Sequence, residues 1–408
     1  MPTVGPAVPL WRSPTAIIIA GCLIAMINFG IRSSFGLFLS PLAIDHGWTR
    51  QEYGLALALQ NLLWGFGSPF AGALAEKYGT PRVLAGGALL YALGVVGMSQ
   101  SSSILMFDLA AGLVTGLGIA FTSFGIAIAA MAKVVSPAQR SLALGLGTAA
   151  GSLGQVLFSP LSQSLIGANG PYGALIVLAG CSLVMLPLAF FMPNDANNAA
   201  APGADQSISA ALTEAFGHRG YRLLTAGFFV CGFQLAFITV HFPVYVKDLG
   251  LDVRVGATAL MLIGLFNIAG SILSGMAGQR WSKRYGLSLI YFARSVATVG
   301  LLFAPKTEAN ILLFAAAFGL LWLSTVPLTS GLIAQVFGMR YMGTLYGVVF
   351  LSHQLGSFLG VWLGGVIYDQ TKSYDGLWWI SVALGLFATI VHLPINEAPL
   401  ARLSPKPA

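Results

Sequence analysis

Charge is what this sequence has least of. Only 8% of its 408 residues are Asp, Glu, Lys or Arg, whereas a soluble domain carries about a quarter. A chain so poor in charge cannot cover a water-facing surface, which excludes an ordinary soluble globule. Cysteine is nearly absent as well: Cys22, Cys181 and Cys231 all fall within apolar runs and form no CxxC pair. That pattern excludes a disulfide framework and a zinc site. No nucleophile–base set, metal-ligand spacing or phosphate-cradling glycine loop stands out. The expectation is therefore a chain without catalysis, cofactor or bound metal.

What the sequence does hold is apolar length. It is 56% hydrophobic, with a mean hydropathy of +0.81. Turn residues and the few charges divide it into twelve candidate helices, at 15–40, 52–75, 82–100, 104–131, 141–167, 171–192, 222–246, 255–279, 287–305, 309–338, 342–368 and 376–396. Each is long enough to cross a hydrocarbon core of about 30 Å. The fifty glycines suit close helix packing in a bilayer. The first run is too long for a signal-peptide core and lacks a small-residue cleavage site, so it reads as a retained helix. PNDANNAAAPGADQSIS, at 193–209, is the one linker-like stretch. It places a six-helix bundle at 1–192, a linker at 193–221 and a second bundle at 222–408.

With the N-terminus in the cytoplasm, thirteen of the twenty Lys and Arg lie in cytoplasmic loops and tails and five on the opposite side. This bias predicts both termini inside. It also makes the net charge of +7 a matter of topology, directed at anionic lipid headgroups rather than nucleic acid. The remaining two cations, Arg32 and Arg294, sit inside spans. At an offset of 203, LAIDHGWTRQEYG (42–54) aligns with YVKDLGLDVRVGA (245–257), and Gly67, Ser68 and Gly72 fall on Gly270, Ser271 and Gly275. Two similar six-span halves are the mark of a transporter built from parallel repeats.

GALAEKYGTPR (72–82) follows the second span. It resembles the loop signature of the major facilitator superfamily: Gly72, Leu74, Ala75 and Gly79 match, Glu76 takes the acidic slot, Lys77 is basic, and Arg82 follows as a further cation of the expected gate. GMAGQRWSKRYG (275–286), carrying Arg280, is a degenerate copy in the second half. Gly72 would let two helices approach closely, and Glu76 with the neighbouring cations would latch the cytoplasmic ends as a gate. A plain positive-inside loop is the alternative. FGLFLSPLAIDHGWTRQEYGLALAL and HFPVYVKDLG resemble the branch holding oxalate:formate antiporters and proton-linked monocarboxylate transporters. The resemblance implies a twelve-helix, two-bundle fold working by alternating access. One departure matters: carriers of that branch place an Arg in the eighth span, and here IGLFNIAGS has Asn267 and then Ser271 at that position.

The positive charge stands instead in the first span, within NFGIRSSFGLFL. Arg32 lies about four residues, roughly 6 Å, outward of a midplane near Asn28, where inserting a cation costs about 2.5–3.5 kcal/mol. A guanidinium there offers a planar fork to a carboxylate; a structural arginine bonded to carbonyls is the alternative. Asn28, Arg32 and Gly36 share a helix face by spacing. Gln60, Asn61, Trp64, Gln155, Gln234, Asn267, Trp322 and Gln354 complete a candidate lining, each also open to a role between helices. His241, His353 and Asp108 are the candidate proton carriers, with Asp108 placed to pair with Arg32. Arg294 is expected to serve packing or a gate.

The expected activity is transport of a small organic anion, a monocarboxylate, together with a proton, by a monomer in a bacterial inner membrane. An exchanger or exporter of a neutral or cationic solute, with Arg32 purely structural, and a membrane sensor without transport are the alternatives.

Overall fold

A computed structural model describes residues 13–134, 140–194, 207–338 and 341–403, and every regular element among them is helical. Helix α1, Pro14–His46, tightens to a 3₁₀ turn at Phe35–Phe38. It ends at Gly47, whose φ of 68° only glycine adopts freely. Thr49 and Glu52 then form a capping box that starts α2, Arg50–Tyr78. Helix α3 is Thr80–Gln100. Helix α4, residues 104–133, carries a π-helical stretch at Asp108–Val114 and breaks at Thr122. Helices α5 and α6 share the run Arg140–Leu183, which turns at Gly170 (φ 69°, ψ 172°), and α6 continues through Met185–Ala189.

The second half repeats the plan. Helices α7 to α9 are Arg219–Asp248, Val253–Arg280 and Lys283–Phe303. Helix α10, Glu308–Phe337, is broken between Leu321 and Thr325, and α11 and α12 are Met342–Thr371 and Asp375–His392. Among the described residues ten segments are long and apolar enough to span a bilayer; one of them, Leu146–Ala189, contains both α5 and α6. The 29-residue α2 completes the twelve. Several helices run past the ends read from the sequence, most of all α1, where the chain stays helical to His46, while α6 and α12 stop three and four residues short, at Ala189 and His392. Residues 195–206 of the expected linker lie outside the described residues. Beyond them Ser207 caps a short helix, Ile208–Gly217.

Helices α1–α6 pack among themselves, as do α7–α12, and the halves meet along α2–α11, α5–α8 and α1–α7. Those seams are tight on the face away from the termini. Gly365 of α11 lies against the backbone of Arg50 and Gln51 with no room for a Cβ, and Gly36 of α1 does the same against Thr239 and Val240 of α7. At mid-depth a Cβ on Gly65 would stand 2.7 Å from that of Gln354. Further toward the terminus face, Gly72, Gly343 and Gly347 meet nothing within 4 Å. The halves are closed against each other at one end and part toward the other.

Candidate functional site

Arg32 sits where the closed seam gives way. The turn after it is tightened by Ser33 and Ser34, whose hydroxyls donate to the carbonyls of Gly30 and Ile31 at 2.8 Å. Its guanidinium donates through Nη2 to Oδ1 of Asn61 on α2 and lies over the Trp64 ring, 4.6 Å from the centroid. Nε is buried without a partner. Among the described residues Arg32 forms no ion pair. Its charge is held by an amide and an aromatic face, and the fork keeps unused donors.

Asn61 carries the contact across to the other half. Its main-chain carbonyl accepts from Gln354 Nε2 of α11 at 3.0 Å. Gln354 Oε1 in turn accepts from Nδ1 of His353 at 2.9 Å, which fixes the protonated nitrogen of that ring. His353 stacks on Phe350 with centroids 5.7 Å apart, and Phe350 meets Trp64 edge-on at 5.2 Å. Arg32, Asn61, Trp64, Gln354 and His353 thus form one constellation drawn from α1, α2 and α11.

The other lining residues are placed differently. The Asn28 side chain turns to α4 rather than to Asn61: its amide donates to Thr122 at 2.6 Å and to the Ile119 carbonyl. Gln60 also turns to α4, donating to the Ala111 carbonyl at 2.9 Å. Asn267 donates to Ser152 of α5 and accepts from the Leu323 amide, and Ser271, where the branch has its arginine, donates to Asn267 at 3.1 Å. These amides hold helices together in this conformation. Gln155 is the exception. It is 1% exposed, and neither its amide nitrogen nor its oxygen has a partner.

Arg294 is fully buried and serves the break in α10. Its guanidinium donates to the Leu321 carbonyl at 2.7 Å and to that of Trp322, and its Nη1 donates to Gln234 Oε1 at 3.3 Å. Gln234 also donates to the Ser381 carbonyl at 3.0 Å. A cation at the C-terminal end of a half-helix answers carbonyls that have lost their helical donors. Trp322 and Gln234 therefore belong, in this conformation, to the support of that break.

Asp108 opens the π-helical stretch of α4 and makes no ion pair with Arg32; its Oδ1 is buried without a partner. The expected contact fails because Arg32 turns to α2. His241 is locked, with Nε2 2.8 Å from the Val361 carbonyl and Nδ1 3.0 Å from the Tyr374 hydroxyl.

The gate read from the sequence takes a different form. Among the described residues Gly72 has open space where a Cβ would stand, since α2 and α11 have parted at its level. Gly79, with φ 94°, serves the turn from α2 into α3. Lys77 lies over the Tyr78 ring, Arg82 donates to the Tyr78 carbonyl at 3.3 Å, and Arg280 is exposed. The side chain of Glu76 lies outside the described residues. The latch that joins the halves is on the opposite face. Arg50 of α2 makes a two-pronged ion pair with Asp248 of α7. Asp369 of α11 accepts the backbone amides of Arg50 and Gln51 at 3.3 and 2.8 Å, and Lys247 donates to Ser40 at 2.6 Å. Arg50 and Lys247 are two of the few cations on that face, a signal the charge count contained.

Comparisons with known proteins agree with this architecture. Residues 21–361 match the family model described as Major Facilitator Superfamily. The chain is 25% identical over 391 residues to the uncharacterized MFS-type transporter YcxA of Bacillus subtilis (strain 168), covering 91% of this chain and 92% of that one. It is 26% identical over 389 residues to monocarboxylate transporter 11 of Homo sapiens, covering 91% and 80%. To monocarboxylate transporter 13 of Rattus norvegicus it is 25% identical over 397 residues, covering 92% and 88%. Among solved structures it superposes on the nucleoside transporter NupG with a TM-score of 0.73 at 13% identity, covering 93% and 99% of the two chains. On a bacterial homolog of the human lysosomal transporter Spinster the TM-score is 0.71 at 14% identity, covering 94% of each.

Proposed function

The chain belongs to the Major Facilitator Superfamily, and from that premise we propose that it transports a small organic anion, a monocarboxylate, together with a proton. The observation that carries this reading is Arg32. A guanidinium among membrane helices, without an ionic partner and with donors to spare, is costly, and a carboxylate arriving between the halves would offset that cost through a two-pronged bond. The likeness to proteins named monocarboxylate transporters supports the substrate class.

In this reading the termini lie in the cytoplasm, as the cation bias predicts. The conformation described is then closed at the outer face and parted toward the cytoplasm. His353, hydrogen-bonded into the Arg32 constellation, His241 at the seam and Asp108 in α4 are the groups available to take the proton. The short loops fit a bacterial inner membrane, and family membership makes a monomer the expected state.

The test is thermal stability of the purified protein against a panel of small carboxylates and their neutral isosteres, with Arg32→Gln alongside. Stabilisation by one carboxylate class, lost in the variant, is the expected result. Stabilisation by neutral solutes, or by carboxylates equally in both proteins, would make Arg32 structural and bring forward an exchanger or exporter of uncharged or cationic solutes.

A further inference from the structure

The latch on the outer face ends in a chain of hydrogen bonds, and we propose that the histidine at its end, His241, is a proton-binding site that releases the outer gate. The proposal deepens the proton-coupled reading and takes from it only the topology, with the latch face outside.

Each bond in the chain has a determined direction. The Val361 carbonyl can only accept, so Nε2 of His241, 2.8 Å away, carries the hydrogen. In the neutral ring Nδ1 is then the acceptor, and the Tyr374 hydroxyl 3.0 Å away must donate to it. The Tyr374 oxygen is left to accept, and Nη1 of Arg50 donates to it at 3.0 Å. Arg50 grips Asp248 with both terminal nitrogens and lies over the Tyr368 ring, 3.5 Å from its centroid. The one cation of this chain comes from the first half. His241, Tyr374, Asp248 and Tyr368 all come from the second. The chain is complete only while the halves touch.

A proton added to the Nδ1 lone pair reverses one link. Imidazolium N–H and Arg50 N–H would then both aim at a single phenol oxygen, whose own hydrogen loses its acceptor. Two cations would stand one hydroxyl apart. The groups facing His241 do not absorb this change. From α11 come Tyr368 and Asp369, from the turn before α12 comes Tyr374, from the start of α12 comes Asp375, from α2 comes Arg50, and from α7 itself come Tyr245 and Asp248. Asp248 and Asp369 are already engaged by Arg50 or its backbone, and Asp375 is exposed to solvent. The relief open to the molecule is withdrawal of Arg50, and withdrawing Arg50 parts α2 from α7 and α11. Gln would preserve the neutral pattern at position 241, giving a hydrogen to Val361 and accepting one from Tyr374, without the capacity to take the proton.

The experiment places spin labels on the outer turns of the two halves, at Ser102→Cys and Ala309→Cys. Cys22 and Cys181 are replaced by serine and the buried Cys231 is left in place. The distance distribution is recorded by double electron–electron resonance in lipid nanodiscs between pH 8 and 4, with no substrate present. The expected result is a severalfold rise in the long-distance population as pH falls, abolished in His241→Gln. A wild-type response in His241→Gln would overturn the proposal, as would no response in the wild type. Should His241→Gln fail to fold, Tyr374→Phe decides in its place. It keeps the imidazole but cuts the link to Arg50, so a response like that of the wild type overturns the proposal and its loss sustains it. Because no anion is present, failure here leaves the assignment of Arg32 untouched.

Discussion

Arg32 and Gln354, on opposite halves of the molecule, are held by the same residue. Asn61 accepts the guanidinium with its side-chain oxygen and the glutamine amide with its main-chain carbonyl. A carboxylate that takes the unused donors of Arg32 meets a guanidinium already anchored on Asn61, and any shift of that guanidinium acts on the residue that ties α2 to α11. Binding and the mid-depth contact between the halves are therefore mechanically joined.

Asn61→Asp tests the electrostatic half of that relationship. It places a carboxylate where the amide oxygen now sits, so that Arg32 acquires an internal partner. We expect the variant to fold with an unchanged or higher melting midpoint and to bind carboxylates at least about tenfold more weakly, a difference of about 1.4 kcal/mol. Isothermal titration with the carboxylate found in the stability panel reads it. Unchanged affinity would mean that the anion does not approach this side of Arg32.

Arg294 is the opposite case, a cation whose donors are engaged by the protein itself. In Arg294→Ala the carbonyls of Leu321 and Trp322 lose their donor at the break in α10 and a cavity replaces the guanidinium. Each buried group left unsatisfied costs about 1–3 kcal/mol. We expect a marked fall in melting midpoint, with the carboxylate preference of the remaining folded protein unaltered. A variant of normal stability that no longer distinguishes carboxylates from neutral isosteres would move Arg294 into the binding site.

How much of this was legible in the sequence follows from what each signal measures. The apolar runs report burial in lipid, and they locate all twelve helices to within a few residues at most ends. Residue type and depth pick out Arg32, because a cation in a span is costly wherever it points. They do not report which neighbour a side chain turns to. Asn28, Gln60 and Asn267 look like lining by type, yet all three amides are committed to adjacent helices, since spacing along one helix gives a face but not the helix opposite it. The latch was harder still. Arg50, Asp248 and Asp369 lie at three helix ends and look like solvated termini one at a time, and only the closed tertiary arrangement joins them. Motif resemblance, in turn, drew attention to the other face, where the halves have parted.

The closed seam depends on Gly365, whose missing side chain lets the start of α2 lie against α11. In Gly365→Val the added carbons meet the backbone of Arg50 and Gln51, which cannot yield as a flexible side chain would. The closed outer face should be disfavoured, and a cysteine introduced at the half-buried Ser40 should react severalfold faster with a membrane-impermeant maleimide in the variant than in the wild type. Equal labelling rates in the two backgrounds would mean that α11 accommodates the valine without parting from α2.

Gln155 separates a lining role from a structural one by the sign of a stability change. Its amide is buried on α5 with its nitrogen and its oxygen both unpartnered, and its Cβ side lies 3.0 Å from where a Cβ on Gly264 of α8 would stand. Burying such a group without a hydrogen bond costs about 1–3 kcal/mol. Leucine has nearly the same volume and no polar atoms, so Gln155→Leu should raise the melting midpoint of the ligand-free protein. If the amide waits for a substrate oxygen, the same variant should show a smaller carboxylate-induced shift than the wild type, so that the two curves approach each other on adding ligand. A lower ligand-free midpoint would show that the amide has a partner in the native ensemble. A raised midpoint with the full ligand-induced shift would remove Gln155 from the binding site and leave the anion to Arg32 and the residues around it.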